Sequence, residues 1–165
     1  MSENKATAEL ISFEEYLDTY GYLLYTNVGI SMLPLLRQKR DIIEIRKVEN
    51  KRCNKYDVVL YKRGGTYILH RILKVLPDGY IIAGDNNTFI ETDIKDGNIL
   101  GVMTRVIRNG KSITQDNPIY KIYVHLWCDF YPVRMLILRI KTFIWRVLWR
   151  IKRILTGQDK QNQSK

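Results

Sequence analysis

Apolar residues first recur every three or four positions, at Leu10, Phe13, Leu17, Tyr20 and Leu24. That spacing predicts an amphipathic helix, with Ser12 and Glu15 able to form a capping box inside it. From Asp41 the period shortens to two. Asp41–Val48, Asp57–Arg63, Thr66–Val75, Tyr80–Ala83 and Leu100–Ile107 are short and rich in β-branched residues, as expected of strands. Gly64-Gly65 supplies positive φ for a tight hairpin between the second and third of these. Pro77-Asp78-Gly79, Gly84-Asp85-Asn86-Asn87 and Asn109-Gly110 mark further turns.

Past Pro118 the helical period returns. Tyr120–Trp127 is apolar and aromatic, and a longer pattern starts near Asp129 with Pro132 in its first turn. There Leu136, Ile140, Phe143, Ile144, Val147, Ile151, Ile154 and Leu155 share one apolar face. Arg139, Arg146, Arg150 and Arg153 form one basic rib and Arg134, Lys141 and Lys152 another, with Leu138, Trp145 and Trp149 between them. The expected fold is therefore mainly β, a core of short strands with an N-terminal amphipathic helix and a C-terminal basic amphipathic helical tail. Its divisions are a helical segment over 1–26, a β domain over 27–115, the helical tail over 118–156 and a polar, disordered end over 157–165. Residues 1 to about 8 are expected to fray.

Charge sharpens the picture of the tail. The formal net charge is +10, and seven basic residues but no acid fall between Phe130 and Gly157. An anionic membrane surface bound through residues 134–155 is one expected partner. A helix packed on its own domain or on another protein is the alternative, and nucleic acid is not expected because the tail's apolar face suits lipid or protein better than phosphate. Acidic residues near the N-terminus replace the positive region of a secretory signal. The longest uncharged run, Thr19 to Leu36, contains Asn27, two glycines, Ser31 and Pro34, a poor composition for a spanning helix. A cytoplasmic chain, peripheral on the inner membrane face, is expected. Cys53 and Cys128 lie in no metal-ligand spacing, and neither metal nor cofactor is expected.

The candidate chemistry centres on Gly29-Ile30-Ser31-Met32-Leu33-Pro34. A serine hydroxyl is a weak nucleophile and needs a base within hydrogen-bonding reach, itself oriented by a third group. Of the two histidines, His70 falls by alternation on the same strand face as Ile68 and Ile72, where it would stay neutral near pH 7. Asp85, at a strand end, is positioned to accept a bond from the imidazole. Each residue alone also has a plain reading, as a turn serine, a half-buried core histidine and a turn aspartate.

In order, the pieces Gly29-x-Ser31-Met32-x-Pro34, Tyr56-Asp57-Val58-Val59, His70-Arg71 and Gly84-Asp85-Asn86-Asn87 resemble the type I signal peptidase family, in its branch with histidine where the other has lysine. The resemblance covers residues of about 27 to 107. It implies Ser31 as nucleophile, His70 as general base and Asp85 as supporting acid, on a β core without metal. It also implies an oxyanion hole that uses the backbone amide at the serine, with Gly29, Ile30, Met32 and Pro34 shaping the substrate side. Two features depart from the family. An acidic amphipathic helix stands where members usually carry a membrane anchor, and Tyr56-Asp57 replaces the usual Gly-Asp. The expected activity is a serine endopeptidase that removes a leader or signal-like segment from a peptide or protein precursor. The alternatives are a non-catalytic peptide-binding module held on membrane or partner by the basic helix, and a self-cleaving repressor. For the repressor, too little chain precedes the serine to hold a DNA-binding domain.

Overall fold

The computed structural model describes residues 11–48 and 52–155, and the polar stretches expected at residues 1–8 and 157–165 lie outside them. Helix α1 spans Phe13–Tyr20. Ser12 caps it, its Oγ accepting from the Glu15 N–H at 3.2 Å. Gly21 ends it at φ 75°, a left-handed conformation that glycine adopts without steric cost. The chain then extends as strand β1, Tyr22–Thr26. The helical segment expected over 1–26 is thus corrected, since its last residues pair with the sheet. Leu24 fits a helical stripe and a strand equally well, and Gly21 decides between them.

Seven more strands follow: β2 (Asp41–Lys47), β3 (Val58–Arg63), β4 (Thr66–Leu76), β5 (Gly79–Ala83), β6 (Glu91–Ile94), β7 (Ile99–Arg108) and β8 (Lys111–Thr114). They form one antiparallel sheet in the order β1-β2-β7-β3-β4-β5-β6, with β8 pairing the far half of β7. Strands β6 and β8 have four residues each and lack the β-branched alternation that marked β2 to β5 and β7. Strand β3 is central, and alternation splits its side chains between two cores. Val58 and Leu60 join Leu69, Leu17, Ile43 and Met103 on one side. Val59 and Tyr61 join Ile72, Tyr80 and Ile82 on the other.

Helix α2, Pro118–Cys128, is capped by Asn117, whose Oδ1 accepts from Ile119 and Tyr120 N–H. It buries Tyr120, Val124 and Cys128 in the core that holds Leu17 and Met103, so this part of the expected tail belongs to the domain. Helix α3 runs over Tyr131–Leu155. It is seated by Arg134 and Leu138, which are buried, whereas its apolar face is open to solvent. Among the described residues no helix is long and apolar enough to cross a membrane. The uncharged run from Thr19 to Leu36 is divided between the end of α1, strand β1 and a turn. Cys53 and Cys128 are separate, free and buried, and burial pushes both thiols up to about 11.

Candidate active site

Strand β1 delivers the chain into the turn that carries Ser31. Gly29 sits at φ 95°, and because a Cβ there would meet nothing, backbone conformation rather than crowding calls for glycine. Its N–H donates to Gln38 Oε1 at 3.3 Å. Met32 is fully buried beside Leu36, and the Leu36 N–H closes onto the Met32 carbonyl at 2.8 Å. An apolar anchor therefore fixes the backbone one residue past the serine. Ile30, on the other side, is 65% exposed. Pro34, exposed after a cis peptide, rims an apolar cavity of about 300 Å³ with Val106, Ile113 and Tyr123.

The Ser31 carbonyl accepts from the Asn86 N–H at 2.7 Å, which ties the serine turn to the Gly84–Asn87 turn. Gly84 explains how closely they approach. A Cβ at Gly84 would lie 2.7 Å from the Ser31 carbonyl oxygen and 2.9 Å from His70 Cδ2, so only glycine fits between the serine turn and the His70 ring there, and among the described residues no hydrogen bond joins Ser31 to His70. Among the described residues, the Ser31 hydroxyl, the Ser31 N–H and the Met32 N–H have no hydrogen-bond partner. An uncommitted hydroxyl beside uncommitted amides is the equipment of a nucleophile with an oxyanion site.

His70 stands on β4 opposite Val59 and is buried on the side expected from alternation. Its Nδ1 lies 3.2 Å from Glu91 Oε1 and 3.0 Å from the Tyr61 hydroxyl, which itself donates to Glu91 Oε1 at 2.9 Å. Arg63 also pairs with the Glu91 carboxylate. A carboxylate facing Nδ1 requires the proton there, which leaves the lone pair on Nε2. Asn87 Nδ2 lies 3.3 Å from that Nε2, a donor matched to the same tautomer. Burial disfavours the imidazolium and outweighs the attraction of Glu91, so the ring titrates below its ordinary value and is neutral at pH 7. Burial and the same carboxylate push the Tyr61 phenol up, which keeps it a donor.

Asp85 is placed elsewhere. Its carboxylate forms a buried bidentate pair with Arg71, at 2.9 Å from Nε and 2.8 Å from Nη2, and accepts from the Tyr123 hydroxyl at 2.8 Å. Neighbouring residues of a strand face opposite sides, and Asp85 reaches the side of Arg71, not that of the His70 Nδ1. Trp127 Nε1 donates to the Asp85 carbonyl, and Arg71 also bonds the Tyr56 carbonyl and the Tyr120 hydroxyl. Burial works against the Arg71 charge, and Asp85 more than restores it. The contact expected of Asp85 is made by Glu91, which strand alternation does not mark because Ile94 is the one apolar residue of β6. Tyr56, at the position where the resembled family has glycine, adopts φ 79° and is held there by a hydroxyl bond to Asp129 at 2.6 Å.

Helix α3 closes one side of the site. The Arg134 guanidinium binds the carbonyls of Gly84 and Asn87, and Lys141 Nζ reaches Asn86 Oδ1 at 3.1 Å. A groove of about 350 Å³ remains between Ile30 and Asn86 on one side and Leu138 and Trp145 on the other. No protein-family model, curated protein or solved structure matches this chain.

The site geometry makes Glu91 and Asp85 separable. On the serine–histidine chemistry expected from the sequence, Glu91→Gln would lower kcat by about 10²- to 10⁴-fold, because the amide no longer favours the Nδ1–H tautomer. Its melting temperature is expected to stay near wild type, since Arg63 can turn to solvent. Steady-state kinetics beside thermal unfolding checks both, and an unchanged kcat would remove Glu91 from the reaction.

Proposed function

We propose that the chain is a serine endopeptidase of signal-peptidase type that cuts a leader or signal-like segment from a peptide or protein precursor. The observation that carries this reading is the neutral, buried His70, oriented by Glu91 on one nitrogen and closed onto the Ser31 turn across Gly84. Ser31 Oγ attacks the scissile carbonyl as it displaces the Asn87 amide from His70 Nε2. Nε2 takes the hydroxyl proton and passes it to the leaving amine, and Glu91 with Tyr61 steadies the imidazolium. The N–H groups of Ser31 and Met32 face the oxyanion, a contribution of about 2.7–4 kcal/mol per donor in other proteases. Substrate adds as a strand along the free edge of β1, whose exposed Tyr22, Leu24 and Thr26 alternate towards the serine turn.

A pH profile of kcat/KM on an extended peptide tests this assignment. The base works unprotonated, so activity is expected to be flat around pH 7 and to fall as pH drops through the folded-state pKa of His70. Because burial lowers that pKa, the midpoint is expected below the ordinary 6.5. A limb still rising towards about pH 10 would implicate a lysine instead.

One observation favours a second reading. The Asn87 amide already occupies the Nε2 lone pair, as it would in a non-catalytic peptide-binding module built on the same groove. For such a module Ser31→Ala leaves function intact, whereas for the peptidase it does not.

A further inference from the structure

We propose that α3 is a docking helix for anionic membrane, lying flat on the lipid surface and holding the Ser31 turn beside it. The first observation is which face the fold leaves open. From Val133 through Ile137, Ile140, Ile144, Val147 and Ile151 to Ile154, β-branched residues recur at alternating steps of four and three, and each is 37–69% exposed. Leu136, Phe143 and Leu148, also exposed, widen that seam. The helix meets its own domain through the opposite side, by Arg134, Leu138 and Lys141. The domain therefore cannot cover the seam without releasing those contacts.

The second observation is charge. Arg139, Arg146, Arg150, Lys152 and Arg153 flank the seam, and no acid occurs between Phe130 and Gly157. Trp145 and Trp149, both more than half exposed, lie with Leu138 between the two basic ribs, on the side of the helix away from the seam. An anionic bilayer satisfies both features at once, taking the seam into its acyl boundary and the bases beside it against phosphate. A second copy of the chain fits less well. Paired helices of this kind set opposite charges beside the seam, and two copies of α3 bring only like charges together. The helix is 25 residues long, so it would lie along about 37 Å of surface.

The consequence for the site follows from Arg134 and Lys141, which hold the Gly84, Asn86 and Asn87 turn that touches both Ser31 and His70. Docking therefore fixes that turn relative to the lipid. The docking itself does not rest on the peptidase reading.

The test uses the full chain, sedimented with phosphatidylcholine vesicles containing phosphatidylglycerol or with phosphatidylcholine alone. Wild type is expected to partition at least about tenfold more strongly onto the anionic vesicles and to be released by high salt. Ile144→Glu with Ile151→Glu is expected to weaken that partition at least about tenfold while thermal unfolding is unchanged, since neither side chain packs in the core. Ser31→Ala is expected to bind vesicles as wild type does, so docking and cleavage are read by different variants. Equal binding by the double variant, or wild type that ignores both vesicles, overturns the proposal. Wild type that ignores vesicles but elutes as a dimer split by the double variant overturns it in favour of a second copy.

Discussion

Ser31→Ala and His70→Ala are each expected to lower cleavage of an extended peptide by about 10³-fold or more, and the double variant is expected to lose no more than either alone. The reason lies in how the pair works. Without His70 the Ser31 hydroxyl has no acceptor for its proton, and without Ser31 the imidazole has no proton to move, so each deletion removes the same step. What survives is the contribution of substrate binding and of the Ser31 and Met32 amides, which both variants keep. Single-turnover kinetics on purified protein, with circular dichroism to confirm folding, gives the three rates. Losses that multiply in the double variant would show that the two residues act separately, and a Ser31→Ala enzyme at wild-type rate would end the peptidase reading.

Arg71→Met is expected to cost about 3–5 kcal/mol of stability, because it leaves the Asp85 carboxylate buried and without its cation. At about 2–4 °C per kcal/mol for a chain of this size, the melting temperature falls by roughly 6–20 °C. The pair is wedged between β4 and α2, where Tyr120, Tyr123 and Trp127 also hold it, so its loss loosens the seat of α2 on the sheet. Asp85→Leu combined with Arg71→Met is expected to recover part of the loss, since removing both charges leaves neither one stranded. Urea denaturation of the two single variants and the double variant reads this directly. A double variant less stable than the sum of the singles would mean that the charges do more than neutralise each other. Set against Glu91→Gln, which is expected to slow the reaction at nearly constant stability, this pattern distinguishes the acid that supports the fold from the acid that orients the histidine.

Much of the β core was legible because its signals are local. Gly64-Gly65 and Pro77-Asp78-Gly79 punctuate runs of β-branched residues, and the strands between them lie within a residue or two of where alternation put them. The face of His70 was legible for the same reason, since period two leaves little choice once β4 is recognised. What could not be read depended on partners far along the chain. Asp85 and Glu91 stand six residues apart on a turn and a short strand, and which of them meets His70 depends on which face of β4 each approaches, a matter settled by Arg71. The end of α1 was not legible from periodicity because Leu24 fits two periods, and the stop is made by Gly21. On α3 the apolar face was legible from its period, whereas which side meets the domain was not. Two polar side chains, Arg134 and Lys141, find carbonyl and amide oxygens on the Gly84–Asn87 turn and outcompete the isoleucines for the domain.

The central claim is that Ser31 and His70 together cut peptide bonds, and mass spectrometry of new peptide N-termini tests it most directly. Matched cells would express wild type, Ser31→Ala or His70→Ala at equal abundance, with the termini compared across the three. The account predicts a set of termini present only with wild type and sharing a preference in the residues before the cut. Identical termini from all three proteins, each folded and present with its precursor, would contradict it.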